Sequence, residues 1–314
     1  MRRATYIFLI LVIITHIAVA QDDLSDIVNK NSEQPKKEFV TATFKGLRII
    51  NAQTIETAKK HNMQFNIQHR FGDIAGAGGG IHTFFGLDQA NDIRFSFDYG
   101  ITDRLQIGVG RSRGIYPYRE LYDGNVKFKL MRQTTNGKTP ISITLFGVAA
   151  ATGSRSDTAQ TSETHFPNFA YRVSYVSQMI IARKFTPGFS LELLPTYVHR
   201  NYVAYDDEND MFFLGAGARL KITKRFAIIA DYFHDFRSPY AATDTAKTTR
   251  IHYDPLSIGV EIETGGHVFQ LTFTNATGIL ENTFLPFTTT SWTKGEFRWG
   301  FNLTRNFVIG GKNY

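Results

Sequence analysis

Five histidines, His82, His165, His199, His234 and His252, lie in or beside stretches that also hold Asp206, Asp207, Glu208, Asp210, Asp231, Asp235 and Asp254. Imidazole and carboxylate together suit a divalent metal. These histidines are too scattered for any metal-binding spacing, and solvated loops account for them better. Asp206-x-Glu208-x-Asp210 alternates oxygen ligands as a calcium loop does, but lacks the turn glycine and the distal bidentate glutamate. Asp231-Tyr-Phe-His234-Asp235 sets acid and imidazole close together. On a strand, Asp231 and His234 point to opposite faces, as do His234 and Asp235, so a general-base couple would need a partner from another strand. The run Ala75-Gly-Ala-Gly-Gly-Gly80 has no helix pattern after it to hold a phosphate and reads as a loop. The chain has no cysteine, hence no thiol nucleophile, disulfide or lipid-anchor cysteine. No catalytic residue, metal ligand or cofactor is assigned, and the chain is read as a non-enzyme.

The elements that carry these residues have a rhythm of two. Met63, Phe65 and Ile67 alternate with Gln64, Asn66 and Gln68; Ile93, Phe95, Phe97 and Tyr99 with Arg94, Ser96 and Asp98; Phe297, Trp299, Phe301 and Leu303 with Arg298, Gly300, Asn302 and Thr304. Such alternation marks strands with one apolar and one polar face. Twelve are expected, at about 62–71, 91–100, 104–112, 124–133, 138–150, 169–183, 187–199, 210–222, 225–236, 255–264, 266–276 and 295–307. Their connections alternate between short and long, the asymmetry of a transmembrane barrel with short periplasmic turns and long outer loops. An even count also returns both ends to the periplasm. A soluble sandwich would not sort its turns by length, and its outward face would be polar. Ile101-Thr-Asp-Arg-Leu-Gln-Ile107 and Ile222-Thr-Lys-Arg-Phe-Ala-Ile228 repeat one tight hairpin; Leu303-Thr-Arg-Asn-Phe-Val-Ile309 is a looser copy that leaves the end of the last strand ambiguous.

The N-terminus reads as an export signal: Arg2 and Arg3, an apolar run Tyr6–Ile17, and Ala18-Val-Ala20 before a mature start at Gln21. Residues 21–61 are expected to be a periplasmic linker followed by a segment, about 39–57, that fits a plug in the lumen, a periplasmic collar or an extra strand. The barrel then spans 62–309, with a tail at 310–314. The fold class is all-β, an antiparallel transmembrane barrel of about twelve strands in the cell outer membrane. Net charge is +7, with two of the positive charges in the signal. That modest excess favours weak attraction for anionic solutes or lipid headgroups over nucleic acid.

The outward face, for instance Val126, Phe128, Leu191, Leu193, Leu214, Ile258 and Leu271, is almost free of charge, as lipid contact demands. Aromatics at strand ends, among them Tyr99, Phe185, Phe212, Phe226, Tyr232 and Phe233, form the expected girdles. The inward set is Arg70, Arg94, Asp98, Lys127, Lys129, Arg172, Glu192, Arg219, Glu261, Glu263 and Arg298. Its basic excess fits two readings, a narrow path favouring small anions or a filled barrel braced by pairs of opposite charge. Strand count does not choose between them, because twelve lies between filled eight-stranded barrels and open sixteen-stranded ones.

Phe44-Lys-Gly-Leu-Arg-Ile-Ile-Asn-Ala-Gln-Thr-Ile-Glu56, His69-Arg-Phe-Gly-Asp73, Phe84-Phe-Gly-Leu-Asp88, Tyr99-Gly-Ile-Thr-Asp-Arg-Leu-Gln-Ile-Gly-Val-Gly-Arg-Ser112 and Tyr122-Asp-Gly-Asn-Val-Lys-Phe-Lys-Leu-Met-Arg132 resemble an outer-membrane β-barrel family of the Bacteroidota. The resemblance implies a barrel in that membrane and brings neither an activity nor functional residues. Outer-membrane lipid and the barrel-assembly machinery are the implied partners, together with a small solute of unknown identity. The tail is a departure, since such barrels usually end on an aromatic or apolar residue read by that machinery, a part left here to Phe307 or Ile309. In that phylum exported proteins carry O-linked sugar at Asp-Ser/Thr before a small or apolar residue, a pattern met at Asp157-Thr158-Ala159 and Asp244-Thr245-Ala246.

The role expected is porin-like passage of small solutes or a plugged structural barrel. A surface binding protein working through its long loops, around Tyr116, Tyr118 and Tyr122, is the alternative, with a barrel hydrolase a third and weaker reading. Intact mass of the exported chain is a first check. Cleavage after Ala20 sets its bare mass, and sugar on Thr158 or Thr245 would add to it; a mass equal to the bare chain removes both sugar sites.

Overall fold

The computed structural model describes residues 38–114, 118–159, 162, 164–203, 207–237 and 252–309. Twelve antiparallel strands run in order: β1 (Asn62–Asp73), β2 (Ala90–Gly100), β3 (Leu105–Arg113), β4 (Glu120–Met131), β5 (Ser142–Thr152), β6 (Val173–Thr186), β7 (Phe189–Arg200), β8 (Asp210–Lys221), β9 (Phe226–Asp235), β10 (Leu256–Thr264), β11 (His267–Thr274) and β12 (Arg298–Val308). Each pairs with its sequence neighbours, and β1 pairs with β12 to close the barrel. Closure leaves no sheet edge, the condition for a sheet to sit in lipid without unpaired backbone groups. The seam runs from Asn62↔Val308 to Arg70↔Gly300, and a bulge beyond it sets Asp73 opposite Arg298.

Period two settles which face each residue takes. Val126, Leu193 and Ile258 stand outward and exposed, while their direct neighbours Lys127, Glu192 and Ser257 are buried inside. The aromatic ends Phe185 and Phe226 on the short-turn side, and Phe212 and Tyr232 on the other, also face outward. Phe233 differs from expectation: it is luminal and fully buried against Phe284.

Two differences from the expected strand bounds matter to the site. β4 begins at Glu120, so its outer connection to β3 is only 114–119, shorter than the inner connection 132–141. Loop length therefore fails to sort the two ends at this strand. β6 begins at Val173, because the Asn168 side chain accepts the Ala170 N–H and holds a 3₁₀ turn, Phe169–Arg172, ahead of it. Arg172 is consequently not on the barrel wall; its guanidinium donates to the carbonyls of Thr152, at the end of β5, and Ser154, in the outer loop. At the C-terminus the last strand runs through to Val308, close to the expected end, with no turn at Thr304: Asn306 and Phe307 continue the seam opposite Gln64 and Met63.

A charge placed in the outward band tests the lipid face. Leu193→Arg, on the outward side of β7, is expected to cost about 2–4 kcal/mol at mid-depth, read as a lower urea midpoint for the chain folded in vesicles. An unchanged midpoint would place this residue out of contact with lipid.

Candidate functional site: the filled lumen

Residues 43–58 precede β1 and lie inside the barrel, where Phe44, Ile49, Ile50, Asn51, Ala52 and Thr54 are almost wholly buried. The segment folds back on itself: Ile49 N donates to Ala52 O and Thr54 N to Leu47 O, both at 2.9 Å. Its tip is a tight turn around Ile50 and Asn51, and most of its length has no regular secondary structure. Its peptide groups therefore need partners from the wall, since an unpaired buried N–H or C=O is costly.

The wall supplies them. One carboxylate oxygen of Asp231, on β9, accepts the N–H groups of Ile50, Asn51 and Ala52 at 3.2, 2.7 and 2.9 Å. Arg70 and Asn302, joined at 3.0 Å, hold the other side of the tip: Arg70 donates to Asn51 Oδ1 at 2.9 Å and Asn302 to Ile50 O at 3.0 Å. Asn51 in turn donates to the Ser257 hydroxyl at 2.9 Å. Below the tip, Lys127 gives its ammonium to three carbonyls, Leu47 and Thr54 at 3.1 Å and Glu56 at 3.2 Å. Gln106 accepts from Ala58 N at 2.8 Å, and Thr144 donates to Ile55 O at 3.1 Å.

The lumen has two unlike halves. On β5 to β9 the inward residues are largely apolar, including Phe146, Val148, Val176, Ile180, Leu194, Val198, Met211, Phe213, Ile229 and Phe233, and they form one buried cluster with Phe44, Ile49, Ile50 and Ile55 of the inner segment. Gly217 on β8 makes room for that packing, since a Cβ there would sit 2.5 Å from Ile49 Cδ1. On β1 to β4 and β10 to β12 the inward residues are amides, hydroxyls and charges: Gln64, Gln68, Arg94, Asp98, Gln106, Asp123, Glu261, Gln270 and Asn302. A small polar crevice remains between this half and the inner segment, lined by residues such as Arg48, Gln68, Arg94, Asp98, Asn125 and Asn302. Toward the short-turn end the lumen widens into a vestibule of about 730 Å³ beside residues 40–45.

The other end is filled by the β11–β12 connection. Residues 275–291 turn into the barrel and carry a two-turn helix, α1 (Glu281–Phe287). Ile279 N donates to Asp92 at 2.9 Å and Asn282 to Ser174 at 2.8 Å. Glu281, fully buried, meets Arg48 of the inner segment at 2.8 Å and accepts from Gln53 at 3.0 Å. The two inward pieces of chain thus touch each other through an ion pair near the barrel's middle.

The inward charges named from the sequence fall as follows. Arg94 pairs with Asp123 at 2.6 Å, Arg298 with Asp73 at 2.6 Å, and Arg219 with both Glu261 and Glu263 at 2.8 Å. Glu263 also takes Lys45 at 2.8 Å, and Lys129 reaches Glu56 at 3.4 Å. Asp98 accepts from Asn66, Gln106 and Asn125. Glu192 stands opposite Gly217 on the wall that Ile49 approaches. Arg172 is the exception, outside the wall as described. Four buried acids were not singled out as luminal from the sequence: Asp92, Asp123, Asp231 and Glu281. They remove the apparent basic excess. Asp123 fell in an expected loop and Glu281 between strands; Asp92 shares parity with Arg94 and could have been found by it.

The loop residues do not assemble into a reactive site. His199 pairs with Asp210 at 2.7 Å and His234 with Asp254 at 3.0 Å, both on the outside of the wall, so His234 and the luminal Asp231 are on opposite sides of the sheet. Among the described residues, no three His, Asp or Glu side chains gather as a metal-binding group. Asp207 lies between Arg200 at 2.7 Å and Arg237 at 3.3 Å. Burial would raise its carboxyl, but these two guanidiniums outweigh it and hold the group below the usual carboxylate range. The tyrosine cluster does not form one surface either: Tyr118 is buried against Phe166 and Phe287, Tyr122 faces outward, and Tyr116 lies outside the described residues. Thr158 is exposed in an outer loop; Thr245 lies outside the described residues.

A closed sheet with an apolar outer band and an interior packed with its own chain defines a membrane-embedded β-barrel of the outer membrane. The chain belongs to the membrane-bound β-barrel domain family DUF5777, whose model matches residues 44–307 and so takes in the inner segment as well as the strands. No curated protein matches the sequence. Among solved structures it is similar to the COG4313 outer membrane channel from Pseudomonas putida F1, with 11% identity, 81% of this chain and 98% of that chain covered and a TM-score of 0.47. It is also similar to the NanC porin, at 6% identity, 78% and 100% coverage and a TM-score of 0.46, and to the KdgM porin, at 6% identity, 78% and 99% coverage and a TM-score of 0.46. Likeness at this level carries nothing about solute or residues.

Asp231 offers the sharpest test of the site. Asp231→Ala leaves three buried amides without an acceptor, at roughly 1–3 kcal/mol for each buried group left unpaired. Amide exchange at Ile50, Asn51 and Ala52 is expected to accelerate at least tenfold, a loss of about 1.4 kcal/mol in opening free energy, while the strand amides stay protected. Unchanged exchange at the tip would show that Asp231 does not hold it.

Proposed function

We propose that this protein is a normally closed outer-membrane channel for small polar solutes, shut by residues 43–58 from one end and 275–291 from the other. The observation that carries this reading is the partnering of the inner segment: its turn is bonded to Asp231, Arg70 and Asn302, and its base to Lys127. An open pore would leave the apolar wall of β5 to β9 facing water. Passage therefore requires the inner segment to shift along the polar half, where displaced hydrogen bonds can be exchanged for bonds to water at small net cost. The weak anion preference suggested by the basic residues loses support once Asp92, Asp123, Asp231 and Glu281 are counted. Nothing in this reading calls for catalysis.

Planar-bilayer recording tests it. The wild-type mature chain is expected to be silent, and deletion of residues 39–58 is expected to give stepwise current. The pair Arg48→Ala with Glu281→Ala, which breaks the contact between the two inward pieces without removing chain, should give brief openings. Steady open-pore current from the wild type would refute closure; silence of both variants, with folded barrels confirmed, would reduce the protein to a structural barrel.

A further inference from the structure

The outer end of the wall repeats one arrangement on its outward face. At β7–β8, His199 pairs across to Asp210, and Tyr197, one rung nearer mid-depth, donates to the same carboxylate. At β9–β10, His234 and Tyr232 share Asp254 in the same way. In each case one imidazole and one phenol take up one carboxylate.

The β3–β4 hairpin departs from this balance. Arg113 stands opposite Glu120 on the outermost rung, and Arg111 opposite Tyr122 on the next. Two guanidiniums face a single carboxylate, and both are too far for a good hydrogen bond: Arg111 is 3.7 Å and Arg113 is 4.0 Å from Glu120, with side chains 43% and 67% exposed. Arg111 also lies over the Tyr122 ring, 5.6 Å from its centroid, and donates to the Tyr122 hydroxyl at 3.4 Å. Below them on the same outward column come Val109 and Ile107, both exposed and apolar. The arginines therefore sit where the lipid-facing column turns polar, at the end of the barrel remote from both Asn62 and Val308. An outward arginine is costly at mid-depth and nearly free at the interface. What it meets there is the headgroup layer, whose phosphate oxygens match the guanidinium fork.

We propose that Arg111 and Arg113, backed by Tyr122, bind the phosphate of an outer-leaflet lipid headgroup. The site is independent of the lumen and stands whether or not the barrel conducts. It takes its ligand from the lipid side of the wall, with Glu120 as the one carboxylate that competes, loosely, for the two arginines.

Native mass spectrometry of the full mature chain in detergent supplies the test, with diphosphorylated lipid A as probe and its dephosphorylated form as control. The wild type is expected to retain the phosphorylated probe and not the control. Arg111→Ala with Arg113→Ala should lower retention roughly tenfold or more, as expected for two basic groups lost at a membrane surface, and His234→Ala should leave it unchanged. Should the double variant fail to fold, Glu120→Gln decides the matter on a milder change: freeing both arginines is expected to raise retention. Equal retention of the two lipids, a folded double variant that binds like the wild type, or a Glu120→Gln chain that binds no better would each overturn the proposal.

Discussion

A length of chain without regular structure occupies the interior of this barrel, and its buried peptide groups have no water to fall back on. That requirement shapes the wall around it. Asp231 serves three successive amides, Lys127 serves three carbonyls, and Arg70 with Asn302 closes the remaining side of the turn. Each of these side chains would be a liability in an apolar core. Each is tolerated because the inner segment offers the opposite group at hydrogen-bonding distance. The luminal charges are in this sense the missing secondary structure of residues 43–58.

The two halves of the lumen divide the work. The apolar half, β5 to β9, gives the inner segment and α1 a surface to adhere to, with a gain proportional to the apolar area removed from water, about 25 cal/mol per Å². The polar half, β1 to β4 and β10 to β12, together with Asp231 of β9, fixes register and orientation through directional bonds. Adhesion without direction would leave the segment mobile; direction without adhesion would leave it soluble. Arg48 and Glu281 then join the piece entering from one end to the piece entering from the other. Removing one partner of such a buried pair typically costs about 3–5 kcal/mol, so the pair couples the two closures.

The outer end is tied together differently. Asp207 collects Arg200 and Arg237, Asp235 adds to Arg237 at 2.5 Å, and Arg237 reaches the Pro286 carbonyl of α1 at 3.2 Å. The Arg200 guanidinium lies over Phe287, 5.1 Å from its centroid. The outer loops and the inward helix thus share one charged network beneath the surface, while on the outward rim Glu120, Asp210 and Asp254 take up arginine or histidine partners of their own.

How much of this was legible beforehand depends on which face carried the signal. Where lipid lies on one side and polar chain on the other, as in β1, β2 and β12, alternation assigned both the strand and the face. On β9 it could not: Ala227, Ile229 and Phe233 are luminal and Ile228, Ala230 and Tyr232 outward, so both faces read as apolar and Asp231 looked like a loop-edge acid. The misplaced Phe233 has the same origin. Arg172 was assigned to a strand because no local pattern announces the 3₁₀ turn capped by Asn168. The expected export signal lies outside the described residues; by itself the sequence determined the strand number and the lipid face, because each depends on local order along the chain and on a solvent that treats every outward residue alike. That residues 43–58 and 275–291 fill the lumen was visible only in the tertiary structure. The groups that hold them there, Asn51, Lys127, Asp231, Glu281 and Asn302, are far apart in sequence, and only barrel closure brings their charges and amides within bonding distance.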